Sequence, residues 1–131
     1  MLSDLLGYTI RVNPKIQLLE RQIAGIKREL ADLGDLRVGT LSQQYGVCGT
    51  PGCRCKASPP AKHGPYYQLS YTRKGKGTTR FVRREVLSTV KAQLRNYAQF
   101  RRLVDRWVDL GTELSALKIE ESRAARVRRR A

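Results

Sequence analysis

From Asn13 to Gly34 the apolar positions fall at Ile16, Leu19, Ile23, Ile26, Leu30 and Leu33. Their spacings alternate between three and four, which is the a/d seam of a coiled coil rather than the broader stripe of a globular helix. Asn13 stands where an N-cap side chain accepts from the first free backbone N–H groups, and Pro14 stands at N1, where its missing N–H costs nothing. Gly34 follows as a C′ stop. The pattern predicts a helix over 14–33.

A second helical pattern runs from about Arg84 to about Arg126. Leu87, Val90, Leu94 and Tyr97 form one seam, and Phe100, Leu103, Trp107, Leu110, Leu114 and Leu117 form another. Between Tyr97 and Phe100 two spacings of three meet, a stammer that moves the apolar stripe around the helix. At a rise of 1.5 Å per residue the first helix is about 30 Å long and the second roughly 60 Å. The shorter helix cannot cover the longer one. We therefore assign Phe100, Leu103, Trp107, Leu110, Leu114 and Leu117 to an oligomer interface, with a second copy or another coiled-coil protein as the partner. A single hairpin whose tail frays at Gly111 is the alternative.

Between the helices the period changes to two. Tyr67, Leu69 and Tyr71 alternate with Gln68, Ser70 and Thr72, "KGKG" reads as a basic turn, and Thr79–Val82 returns as a second strand. On this reading Tyr67, Leu69, Tyr71 and Phe81 pack inward. The opposite face and the tip present Tyr66, Arg73, Lys74, Lys76 and Arg80.

Charge sharpens the picture. The chain of 131 residues carries a net charge of +15, from 26 basic and 11 acidic residues. Leu36–Arg84 contains no Asp or Glu but ten basic residues, whereas residues 1–35 hold five of each sign. A single-sign module beside a balanced one is the footprint of a polyanion, with nucleic acid as the first candidate and DNA favoured over RNA. A β-ribbon with a basic tip suits a DNA groove, while aromatics beside cations also suit single-stranded bases or RNA. Candidate nucleic-acid contacts are Tyr66, Arg73, Lys74, Lys76 and Arg80. Arg126, Arg128, Arg129 and Arg130 add a second basic block at the C-terminus.

All three cysteines and the one histidine fall in the same module, as Cys48-x4-Cys53-x-Cys55-x7-His63. Three thiolates and an imidazole are the complement of a closed tetrahedral zinc site. Gly49, Pro51 and Gly52 allow a tight turn between the first two sulfurs, and Pro59-Pro60 forces a loop that returns His63. Structural Zn2+ also answers a stability problem, because a loop-rich, highly charged segment has little core of its own. The bland alternative is three buried cysteines and a chance histidine. Four protein ligands leave no open position, and the basic module offers no carboxylate as a base, so the expectation is a protein that is not an enzyme.

No apolar run is long enough for a transmembrane helix, and "MLSDLLGYTIRVNP" lacks the basic start of a signal peptide. The expectation is a cytoplasmic protein with no membrane partner, where clustered cysteines bind metal more often than they form disulfides.

"VGTLSQQYGVCGTPGCRC", "HGPYYQLSY" and "NYAQFRRLVDRWVDL" together resemble an uncharacterised family of small bacterial and archaeal proteins known as a domain of unknown function. Its CGxPGCRC and HGPYYxLSY signatures fall here between about Arg37 and Leu117. Some members are encoded near mobile elements, which the resemblance turns into an expectation of DNA transactions. The "KASPPAK" segment before His63 and the arginine tail depart from that pattern. The combined expectation is an α+β protein. An antiparallel coiled-coil stem (1–35 and 84–122) carries an inserted zinc-knuckle and β-hairpin head (36–83) and ends in a basic tail (123–131).

Overall fold

A computed structural model describes residues 13–130 of the chain. The start of the predicted stem segment 1–35, with the stretch read for a signal peptide, lies outside the described residues, as does the final residue of the tail. Among the described residues the architecture is α+β, with two α-helices and one antiparallel three-stranded sheet. It divides into two compact units. Of the described residues, one unit combines 13–33 with 100–130, and the other is Gly34–Gln99.

In the first unit, helix α1 (Pro14–Asp32) begins as its sequence dictates, with the Asn13 side chain accepting from the backbone N–H of Lys15 at 2.9 Å and of Ile16 at 3.4 Å. Its end differs from expectation. Leu33 is extended and caps the helix by donating its N–H to the Leu30 carbonyl, and Gly34 is not left-handed. Helix α2 (Leu87–Arg130) follows a single 3-10 turn at Arg84–Val86 and continues past the predicted end near Arg126. Arginine and alanine are strong helix formers, and Arg128, Arg129 and Arg130 sit at the end where cations complement the helix dipole.

Within this unit Asn13 reaches Glu121, Lys15 pairs with Glu113, Lys118 pairs with Glu20, and the Lys27 ammonium lies 5.1 Å from the centre of the Trp107 ring. The order reverses along the two helices, so they are antiparallel. Leu19, Ile23, Ile26 and Leu103 are buried, while Phe100, Trp107, Leu110, Leu114 and Leu117 are half-buried. The stretch assigned to an oligomer interface from its spacing and the helix lengths runs beside α1 of its own chain. The large apolar side chains left exposed in this unit, among the described residues, are Leu18 on α1 and Val108, Ile119 and Val127 on α2.

The earlier part of α2 serves the second unit, where Val90 is buried with Leu69 and Cys55. The border falls between Gln99 and Phe100, at the stammer. Two apolar stretches of one helix therefore serve the two units.

The sheet of the second unit has the order β1-β2-β3, from β1 (Thr40–Gly46), β2 (His63–Arg73) and β3 (Lys76–Val82). Strand β1 is an addition to the expected hairpin. The hairpin turn is Lys74-Gly75, with φ of 52° and 78°, the doubly left-handed form that matches strand twist. This turn sets Leu69 opposite Arg80, Tyr67 opposite Val82, and Gln68 opposite Phe81. Directly opposed residues share a face. Two expected placements are therefore exchanged: Arg80 lies on the Leu69 face, and Phe81 lies on the Tyr66 face with 73% of its surface exposed. A one-residue change in strand register is enough to exchange them.

Candidate metal centre and basic hairpin

Strand β1 ends at Gly46 and β2 starts at His63, so the connection over residues 47–62 holds the three cysteines. Thr50-Pro51-Gly52-Cys53 is a tight turn in which the Cys53 N–H donates to the Thr50 carbonyl at 3.4 Å. Pro51 fits its first central position, and Gly52, at φ 77°, fills the second, where a left-handed residue is required. A 3-10 turn at Arg54–Lys56 then places Cys55 inward and almost fully buried. The Ala61 N–H donates to the Arg54 carbonyl at 3.0 Å, closing the proline loop ahead of His63.

His63 is aimed by a bulge. Gln44 pairs with Tyr66, but the next pair is Gly46 with His63, so Gly64 and Pro65 together oppose Tyr45. Gly64 has φ 138°, and a β-carbon there would lie 2.8 Å from the Gln44 carbonyl oxygen. No larger residue fits that close approach, so the bulge that turns His63 toward the cysteines depends on this glycine.

The result is a four-donor cluster. The three Sγ atoms and a ring nitrogen of His63 all lie within 4.8 Å of one another. Cys48 Sγ is 3.6 Å from Cys55 Sγ, and Cys53 Sγ is 3.2 Å from His63 Nε2. A disulfide would need about 2.05 Å, and all three cysteines are free. A tetrahedron with Zn–S bonds of about 2.3 Å has S···S edges of about 3.8 Å. The donor set is therefore close enough to bind a metal ion.

Local electrostatics favour a thiolate. The Cys48 thiol is pulled down to about 6, first by the Thr50 backbone N–H and then by hydrogen bonds from His63 and Cys53. Burial pushes the Cys55 thiol up, the backbone N–H of Cys48 opposing it by donating to Cys55 Sγ at 3.4 Å.

Of the expected nucleic-acid contacts, Arg73, Lys74, Lys76 and Arg80 are exposed, with Arg73 opposite Lys76 beside the turn. Tyr66 is exposed on the other face. Arg126, Arg128, Arg129 and Arg130 lie in the helical unit and are exposed. Sequence reading missed Phe81, Arg83 and Arg84 as neighbours of Tyr66. They line a groove of about 370 Å3 with Pro65, Tyr67 and Val82. The signal was the register, which alternation alone does not determine.

A family described as a domain of unknown function (DUF6788) matches residues 16–92, more than half of the chain. The chain belongs to the DUF6788 family. The matched segment holds most of α1, all four metal-donor residues and the whole sheet, and it stops near the start of α2. It begins earlier than the resemblance around Arg37 implied, taking in α1, and ends before the seam from Phe100 to Leu117. The arginine-rich end of this DUF6788 protein lies outside the match. No significant match is found among curated proteins or solved structures.

Proposed function

We propose that this protein is a non-catalytic, cytoplasmic nucleic-acid-binding protein in which structural Zn2+ staples the β1–β2 connection and the β2–β3 hairpin grips phosphates. Duplex DNA is favoured over RNA. The role this suits is an accessory to a larger DNA-processing machine such as that of a mobile element.

One observation carries the reading. In Gly34–Gln99 twelve basic residues face only Asp35 and Glu85, and the hairpin tip holds a lysine in a backbone conformation that costs free energy. A left-handed residue other than Gly, Asn or Asp is disfavoured by roughly 1–2 kcal/mol. Strain of this kind clusters at sites where the side chain is needed. The metal supports the same unit, since its core is thin and thiolate ligation can contribute ~10–16 kcal/mol to the folding of small modules. Three sulfurs and an imidazole suit zinc better than the oxygen-seeking cations. The antiparallel helices, with their alternating three-four seams, are read as a short coiled coil. A second copy of the chain would join through the half-buried seam from Phe100 to Leu117 or the exposed Val108 and Ile119 beside it.

Side-by-side binding to duplex DNA, single strands and structured RNA tests this. Tight duplex binding that is lost when Lys74 and Lys76 are both changed to Glu supports the reading. Selective binding to structured RNA would make the protein a ribonucleoprotein accessory. A protein partner retained by the charge-reversed variant, without any nucleic-acid binding, would make it a docking scaffold.

A further inference from the structure

The face of the sheet bearing Tyr66 has a composition that phosphate binding alone does not require. Tyr66 is 48% exposed and Phe81 is 73% exposed, the largest fraction of any bulky apolar residue among those described. Both line the groove of about 370 Å3 whose remaining walls include Pro65, Arg83 and Arg84. An exposed phenylalanine on an edge strand invites non-specific association, so edges are usually blunted with charge or covered. Here β3 is such an edge.

We propose that this groove stacks one unpaired nucleobase against Phe81 and Tyr66, with Arg83 and Arg84 taking the flanking phosphates. The protein should therefore prefer a strand with an unpaired or flipped-out base over a blunt duplex. The inference rests on the nucleic-acid reading above and names the structural class of substrate for it. Two features favour a base over an apolar protein segment. The aromatic surface shares its groove with two arginines, Arg83 and Arg84, and aromatic rings beside cations are the pattern of single-strand binding surfaces. The groove is also small: clefts that enclose drug-sized ligands span roughly 300–1,000 Å3, and this one falls near the lower bound. The three polar side chains that follow Tyr66 on its face, Gln68, Ser70 and Thr72, give a docking helix or strand no continuous apolar surface.

The test is fluorescence anisotropy with the full chain, a labelled oligothymidylate and a blunt duplex of the same length. Phe81→Ala should weaken oligothymidylate binding roughly five- to one-hundred-fold, the loss expected for one stacking platform. Blunt-duplex affinity should be unchanged, and so should the salt dependence of oligothymidylate binding, because no phosphate contact has been removed. Phe81→Trp should retain the affinity, while Phe81→Leu should behave like Phe81→Ala. Since Phe81 is mostly exposed, these variants are expected to keep their metal and circular dichroism, which both need recording. Full affinity in Phe81→Leu would show that an apolar contact rather than a base stack is at work and would overturn the proposal. Unaltered binding in Phe81→Ala, with binding lost in the Lys74→Glu, Lys76→Glu variant, would also overturn it while leaving the phosphate reading intact. If the unmodified protein binds neither probe, both readings fall together.

Discussion

Lys74 occupies a position that an asparagine or glycine would hold at lower cost. Its φ of 52° places it first in a doubly left-handed turn, where Asn-Gly is the favoured pair. Lys74→Asn should therefore raise stability by about 0.5–1 kcal/mol in urea denaturation while weakening DNA binding, the exchange expected where strain is kept for function. A variant that is both more stable and equally tight in binding would remove the tip from the account. The proposed zinc ligands follow a different rule. Cys53→Ser or His63→Ala should reduce zinc from one ion per chain to well below stoichiometry and unfold Gly34–Gln99, while much of the helical circular dichroism persists. The reason is that the buried residues of that unit are few: Leu69, Val90 and Cys55. Metal analysis of the purified protein showing little zinc in a unit that remains folded would contradict this.

At the level of elements, α1 was legible because its seam, cap and proline agree, and local signals that agree need no tertiary help. The four donors were legible for a similar reason, since soft ligands confined to one short segment have few other uses. Strand β1 was not. Thr40–Gly46 reads Thr-Leu-Ser-Gln-Gln-Tyr-Gly, with weak strand propensity, and its conformation comes from pairing along β2. The faces of Arg80 and Phe81 were misplaced because "KGKG" does not fix the length of the loop: a three-residue loop would set Phe81 opposite Leu69, whereas the two-residue turn at Lys74-Gly75 sets Arg80 there. The oligomer seam was read from a/d spacing and helix lengths, neither of which shows that α1 returns along the later part of α2. That return makes a prediction. Leu19→Ala or Leu103→Ala, each removing a buried side chain from the helical unit, should cost about 2–5 kcal/mol in chemical denaturation. Val108→Ala, at 60% exposure, should stay within about 0.5 kcal/mol. Equal effects at all three would show that α1 does not pack there.

Across the whole molecule, charge is the feature that sequence and structure state together. The acid-poor unit and the arginine-rich helix end both present exposed cations, and on the proposed reading each phosphate neutralised would release condensed counterions. The most direct measurement is the salt dependence of duplex DNA binding for the full chain, the Lys74→Glu, Lys76→Glu variant and a chain lacking residues 123–131. Five to seven contacts from Arg73, Lys74, Lys76, Arg80 and part of the arginine cluster predict a log–log slope of roughly −4.5 to −6. Removing residues 123–131 should flatten the slope and weaken all sequences alike, since phosphate contacts carry no sequence information. The hairpin reversal should do more damage, because a rigid turn fixes the register of the protein on the duplex. A binding activity abolished by the truncation and untouched by the hairpin change would contradict the account, leaving the sheet and its metal cluster without a role in gripping DNA.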